Sequence, residues 1–352
     1  MAHNRILLAA LLAVAACSGG DGTNPINNSG GVEDGSDTGN EGGITSVDEM
    51  PPGTPLPKPN RAIVRREPED DTNGFATGFA YNSDTDEFTV DNLAFDGDNT
   101  YSRDDVVGTL STGATRYALY EGDSEVSDPV TGDPIGQFNY RALYGVSHNQ
   151  MEDGRPTTEF AIVRTGSYVG YGYGGFIYQR NGSVTLPETG QANFNGEYAG
   201  LRDFEGKGGL EYVIGDMSVS IDFEDFNTGS GVAGYVENRR IFDQDGNDLT
   251  VEYINAFQTQ YEGTYEALQV LRFVISDGVA DANGEIIGQV DSNILTGAGE
   301  IQQVESGTYY AIVSGEPANE IVGVLTVESS HPAIEGVTVR ETGGFILHRP
   351  AP

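Results

Sequence analysis

All 33 Phe and Tyr residues fall between Phe75 and Phe345, and within that window the apolar residues come in short runs cut by turn residues. The runs cover residues 87–92, 137–145, 159–165, 217–223, 249–256, 268–275, 308–314, 320–328 and 337–348. Between them stand Asp96-Gly97, Asn181-Gly182, Asp245-Gly246 and Asn283-Gly284, pairs that tight hairpin turns favour because they tolerate positive φ. Beyond the first 16 residues no sustained helical period occurs. Stretch 261–273 is ambiguous, and 268–275 reads as strand. Many short strands with regular turns predict an all-β chain, a sandwich or a barrel.

The region before Phe75 has a different texture. One basic residue, Arg5, precedes eleven apolar residues from Ile6 to Ala16, a signal-peptide layout too short to span a bilayer. The run ends Val14-Ala15-Ala16-Cys17, which resembles the bacterial lipobox, and Cys17 is the sole Cys of the chain. The resemblance implies cleavage before Cys17 and its acylation, with two or three acyl chains giving a lasting membrane anchor. Ser18 is compatible with transport to the outer membrane. Residues 17–60 are rich in Gly, Ser, Asn, Asp, Glu and Pro and hold no aromatic, and are expected to form a disordered tether stiffened by Pro51, Pro52, Pro55, Pro57 and Pro59.

Charge narrows the partners. With 54 acidic residues against 18 basic ones the formal net charge is -36, which opposes nucleic acid and anionic lipid as docking partners. One Cys excludes an intrachain disulfide framework and thiolate metal sites.

From Gly190 onward the chain resembles the barrel domain of the transferrin-binding protein B family of surface lipoproteins. Gly190-Gln-Ala-Asn-Phe-Asn-Gly-Glu-Tyr-Ala-Gly200 looks like that family's opening strand, and Met217-Ser-Val-Ser-Ile-Asp-Phe223 like its second. Tyr309-Tyr-Ala-Ile-Val-Ser-Gly-Glu-Pro-Ala-Asn-Glu-Ile-Val-Gly-Val324 is similar to its late hairpin, and Glu341-Thr-Gly-Gly-Phe-Ile-Leu347 to its closing strand. The resemblance implies an N-terminal β-rich handle domain over residues 61–189, followed by an eight-stranded antiparallel β-barrel over 190–352. The length accommodates one such lobe, and Ser314-Gly-Glu-Pro replaces the family's Gly-Pro turn. The resemblance therefore implies the fold without naming transferrin as ligand.

An eight-stranded barrel is filled by its own side chains, so binding is expected on handle loops and at the barrel mouth. Candidate loops are 96–105, 121–136 and 147–156. The stretch Tyr168-Val-Gly-Tyr-Gly-Tyr-Gly-Gly-Phe-Ile-Tyr178 alternates as a strand, with Tyr171, Tyr173 and Ile177 on one face and Tyr168, Phe176 and Tyr178 on the other. It reads as core packing or as an exposed aromatic recognition surface with Tyr171 and Tyr173 in contact with ligand. His148 is an exposed polar residue or, by the resemblance, a haem ligand on a handle loop. His331 and His348 lie far from it in sequence. No Gly-x-Ser-x-Gly elbow supports a nucleophile triad. Asp243-Gln-Asp-Gly-Asn-Asp248 fails the EF-hand pattern, since Gly246 falls at position four and Ile254 at position twelve. It reads as a hairpin turn between two strands.

The sequence thus predicts a non-enzymatic, outward-facing outer-membrane lipoprotein of a Gram-negative bacterium, anchored through acyl chains on Cys17. It would bind a protein or a nutrient ligand, with iron or haem acquisition as the implied role and no resident cofactor or metal. The alternative is an envelope-interaction protein whose acidic surface provides hydration and spacing.

Overall fold

The computed structural model describes residues 50–68, 76–113, 117–226, 230–277 and 279–350. The signal segment 1–16, Cys17 and the tether up to residue 49 lie outside the described residues. The handle holds β1 (Ile63–Arg66), β2 (Gly78–Asn82), β3 (Glu87–Asp91), β4 (Thr100–Arg103), β5 (Thr109–Leu110), β6 (Tyr117–Gly122), β7 (Glu125–Ser127), β8 (Pro134–Gly136), β9 (Tyr140–Val146), β10 (Thr158–Thr165) and β11 (Gly174–Arg180). Nine of these form one antiparallel sheet in the order β1-β11-β10-β9-β6-β4-β3-β2, with β5 on β6, while β7 and β8 make a small separate hairpin. The barrel follows with β12 (Gln191–Glu205), β13 (Glu211–Asp222), β14 (Val232–Asp243), helix α1 (Thr250–Tyr261), β15 (Leu271–Phe273), β16 (Glu285–Leu295), β17 (Ile301–Ser314), β18 (Glu320–Ser330) and β19 (Thr338–His348). It closes where β12 pairs with β19. The chain is all-β in class, handle then eight-stranded barrel, as the sequence predicts.

Period-two alternation explains how the two parts join. Along β18, Ile321, Leu325 and Val327 point into the barrel, while Val322 and Val324 point out and are equally buried. On β12, β17 and β19 the outward Ala199, Leu201, Ile312 and Ile346 are also apolar and buried. They meet Leu143, Phe160, Ile162, Phe176 and Tyr178 of the handle sheet in one shared cluster. Phe160 fits because Gly145 and Gly344 lack a Cβ; one placed there would sit 2.2 and 2.1 Å from its ring. The opposite face of the handle sheet buries Ala161, Val163 and Ile177 under Phe79, Phe88 and Tyr101, so β2–β4 cover that face. A buried ion pair and a buried hydrogen bond fix the docking. Arg65 grips Glu285 through two bonds of 2.6 and 2.9 Å, and Arg164 donates to Thr342 and to Glu67.

Residues 50–60, expected as the end of the disordered tether, lie along β1. Arg66 N–H donates to Pro52 O and Thr54 N–H to Val64 O, both at 3.0 Å. Prolines leave carbonyls without a neighbouring donor, and buried guanidinium groups take them up: Arg65 donates to Pro51 O, and Arg180 to Lys58 O and Pro59 O.

The barrel has two distinct ends. Turns 205–211, 295–301 and 330–338 mark one; turns 222–232, 314–320 and the end of β19 at His348 mark the other. Helix α1 lies at the first. Stretch 249–256 was expected as a strand paired across the Asp245-Gly246 turn, and is helical instead. Leu249, Val251 and Tyr253 alternate in sequence, but Val251 is 64% exposed, and the buried pair is Tyr253 and Phe257, four apart. Asp243 is consumed by its own turn, accepting from the N–H of Asp245 and of Asn247.

Below the helix the interior is ionic. Arg239 binds Glu305 through two bonds of 2.8 Å and Glu341 through another. Arg202 binds Glu211 at 2.8 Å and approaches Glu341 at 3.3 Å. Tyr198 donates to Glu341, Ser292 to Glu305, and Tyr253 of the helix to Glu211. Burial pushes the Glu305 pKa upward, but Arg239 and Ser292 outweigh it and hold the carboxyl below its ordinary range. Removing one partner of such a network leaves unpaired buried charge. Arg239→Met is therefore expected to cost about 3–5 kcal/mol in urea-unfolding stability. A loss under 1 kcal/mol would show the network to be dispensable.

Candidate interaction surface

Three loops converge beside the helix-bearing end of the barrel. Residues 92–99 join β3 to β4, 137–139 precede β9, and 166–173 join β10 to β11. Val169 O accepts from Gly206 N–H and Gly166 O from Gly209 N–H, which ties the third loop to the turn after β12. Asn139 Nδ2 donates to Gln244 Oε1 at 3.4 Å, tying the second to the turn after β14.

These loops carry four aromatic rings in mutual contact. Phe138 lies 5.3 Å from Phe95 and 5.0 Å from Tyr168, and Tyr168 lies 5.1 Å from Tyr173, with the edge-on or tilted geometry that ring quadrupoles favour. Phe138, Tyr168 and Tyr173 are half-buried; Phe95 is 57% exposed, and Val169 stands exposed in the adjoining loop.

Phe95 is held in an unfavourable backbone state. Its φ is 55°, in a loop where Asn92, Gly97 and Asn99 are also positive. Asn and Gly adopt that region readily, whereas a bulky side chain there costs roughly 1–2 kcal/mol. Neighbours enforce it: Phe138 N–H donates to Phe95 O at 2.7 Å, the Tyr140 hydroxyl to Ala94 O at 3.0 Å, and Gly97 N–H to the Gln137 amide oxygen at 3.1 Å. Strain of this kind concentrates at functional sites. Directly beneath, Asp96 is 3% exposed, and neither its Oδ2 nor the buried Tyr101 hydroxyl finds a hydrogen-bond partner among the described residues. Burial lifts the Asp96 pKa to about 6.

Tyr173, named from the sequence as a ligand-contact candidate, lies on this surface, in a setting that differs from the expected strand. Residues 166–173 are loop, with β11 starting at Gly174. Tyr168, expected on the face opposite Tyr173, therefore packs against it. Tyr171, expected beside Tyr173, turns to the barrel, where the Arg340 guanidinium lies 4.4 Å from its ring centre. Only from Phe176 to Tyr178 does the expected alternation hold, with Phe176 and Tyr178 toward the barrel and Ile177 away. Phe95 and Phe138 escaped the sequence reading. The available signal was an aromatic immediately before the Asp96-Gly97 turn in an acidic loop.

His148 is not part of this surface. It lies at the other barrel end, its ring centre 4.1 Å from that of His348, 200 residues away in sequence. Its loop is anchored to Glu320, whose carboxylate accepts from Ser147, Asn149, Thr157 and Thr158 and lies 3.3 Å from His348 Nδ1. His331 is buried beside Tyr253, and burial depresses its pKa to about 4. Among the described residues no group of three or more His, Cys, Asp or Glu is placed to hold a metal ion. Of the three candidate loops, 96–105 contains β4 and 121–136 contains the β7–β8 hairpin.

No protein-family model matches the chain, and no curated protein matches it significantly. Solved structures do. A double-mutant form of the vaccine antigen transferrin-binding protein B from Haemophilus parasuis Hp5 aligns at 12% identity and TM-score 0.34 over 79% of this chain and 51% of that one. A single-mutant form aligns at 12% identity and TM-score 0.33 over 83% and 52%. The chain spans about half the length of each.

Asp96 gives the surface a pH signature. Its folded pKa, about 6, lies above the unfolded value of about 4, so the folded state keeps a proton that the unfolded state has released. Its contribution is fully present below pH 4 and falls away as pH rises through 6. Relative to Asp96→Asn, the wild-type chain is expected to lose up to about 3 kcal/mol of unfolding free energy between pH 4 and pH 7. Parallel urea curves at both pH values check this, and an unchanged difference would refute it.

Proposed function

We propose that this chain is a non-enzymatic binding protein, tethered to the outer membrane through acyl chains on Cys17, that captures a protein partner on the Phe95–Phe138–Tyr168–Tyr173 surface. The observation that carries the reading is Phe95, 57% exposed at a φ of 55° and in ring contact with Phe138. The first described residues of the chain are fixed elsewhere, with Pro52 and Thr54 bonded to Arg66 and Val64 of the edge strand β1 and Lys58 and Pro59 held by Arg180.

The chemistry of the surface favours a protein partner. Clustered aromatic rings supply large contact area at small entropic cost, which is what interface anchors require. The acidic chain around them favours a partner without strong negative charge. The sequence alternative, an acidic spacer, gives no role to an aromatic kept exposed in a costly backbone state.

Phe95→Gly separates binding from stability. Relief of the left-handed conformation, roughly 1–2 kcal/mol, offsets the lost ring contact, roughly 0.5–1.5 kcal/mol. Stability is expected to stay within about 1 kcal/mol of wild type, while capture of partner protein from native medium, followed by mass spectrometry, falls at least tenfold. Equal recovery by wild type and variant would favour the spacer reading. Cys17→Ser is expected to move the protein from the membrane to the soluble fraction, and protease treatment of intact cells should digest the wild-type body. Full protection would contradict outward display.

A further inference from the structure

The seam between handle and barrel leaves a cavity beside the docking cluster and apart from the aromatic surface. Its volume is about 290 Å³, and it lies against the outer wall of β17–β19. The pleat dictates the floor. Ser306, Thr308 and Tyr310 are successive outward residues of β17, and Thr326 and Glu328 their counterparts on β18. Thr308 stands opposite Thr326, and Glu328 is flanked by Ser306 on one side and Arg340 on the other. The handle supplies the facing wall through Glu67, Pro68 and Phe176. Phe176 and Tyr310 stack with ring centres 5.9 Å apart, which makes one side aromatic.

The charges in this cavity do not balance. Glu67 is held by Arg164 through bonds of 2.9 and 3.1 Å. Arg340 is paired with Asp203 and packed on Tyr171. Glu328 is exposed and makes no ion pair among the described residues. The cavity is thus left with one uncompensated negative charge, in a chain whose formal charge is already -36. An anion would meet repulsion from both. A neutral polyol could use the hydroxyls but would leave Glu328 without a counter-charge.

We propose that this cavity is a binding site for a small organic cation, a primary ammonium or guanidinium head group on a short apolar stem. Glu328 is the counter-ion. The hydroxyls of Ser306, Thr308 and Thr326 accept the remaining N–H donors, which an ammonium or guanidinium group has in excess of one carboxylate. Tyr310 gives the stem an apolar surface and the head group a ring face.

The test is isothermal titration calorimetry of the full chain with butylguanidine and with pentylamine, and with glucose and acetate as neutral and anionic comparisons. Saturable one-to-one binding of the two cations is expected, with a dissociation constant on the order of 0.1–1 mM, as suits ligands of this size. Glu328→Gln should weaken it about tenfold or more, the loss expected for a charge-assisted hydrogen bond. Thr308→Leu, which fills the floor, should weaken it similarly. Glu335→Gln removes an exposed acid from the turn before β19 and should change nothing. Equal weakening by Glu335→Gln would mean diffuse attraction to an acidic surface and would overturn the proposal. So would the absence of saturation, or saturation by glucose in place of the two cations.

Discussion

The architecture rests on strands that are apolar on both faces. In an isolated eight-stranded barrel one face of each strand fills the interior and the other meets water. Here the outward Leu201, Ile312, Val322, Val324 and Ile346 are fully buried or nearly so. Burying five such side chains is worth on the order of 7–15 kcal/mol as an upper bound, comparable with the entire net stability of a typical domain. The handle sheet is therefore an obligatory second layer of the barrel wall. Handle and barrel should unfold together, and the polar contacts across the seam, Arg65 with Glu285 and Glu320 with Ser147 and Thr158, fix the register of an interface that apolar contact alone would leave free to slide.

The barrel interior is filled along its length. The interior is occupied by packed side chains at one end, and at the other by Arg202, Arg239, Glu211, Glu305 and Glu341 under the phenol of Tyr253. A buried network of this kind gains little over apolar packing, but its partners cannot be removed singly. It makes helix α1 part of the barrel, because Tyr253 satisfies Glu211 and its ring lies under the Arg202 guanidinium, 4.7 Å away. What remains adaptable are the handle loops and the unfilled stretch of seam.

The all-β class and the strands with clean alternation were legible because each strand has a long-range partner that enforces period two, while the order of handle and barrel followed from the family resemblance alone. The run 320–328 is an example, paired along its length with β17 and β19. Helix α1 was not legible, since three alternating apolar residues imitate a strand and its burial depends on Arg202 and Glu211, brought in from β12 and β13. The loop 166–173 was misread for a related reason: Gly170 and Gly172 preserve an alternating pattern while Gly166 and Gly209 approach too closely for a strand to continue, a Cβ on Gly166 lying 2.6 Å from the Gly209 backbone. Of the recognition residues named from sequence, only Tyr173 belongs to the aromatic surface. Phe95 was marked in sequence only by its place before the Asp96-Gly97 turn, because its prominence comes from a left-handed backbone held by Phe138 and Tyr140. The pairing of His148 with His348 is likewise a product of topology.

An exposed aromatic cluster is ordinarily a liability, because copies of the same chain bury it against one another. The acidic excess offsets that tendency by making every copy repel every other. Screening confines the repulsion to roughly 8–10 Å at physiological salt, so it acts before rings come into contact and weakens further in saltier water. The aromatic attraction acts only at contact. Another copy of this chain meets the long-range barrier, and a surface without strong negative charge does not. On the proposed reading, the charge that opposes nucleic acid and anionic lipid therefore also keeps Phe95 uncovered between copies.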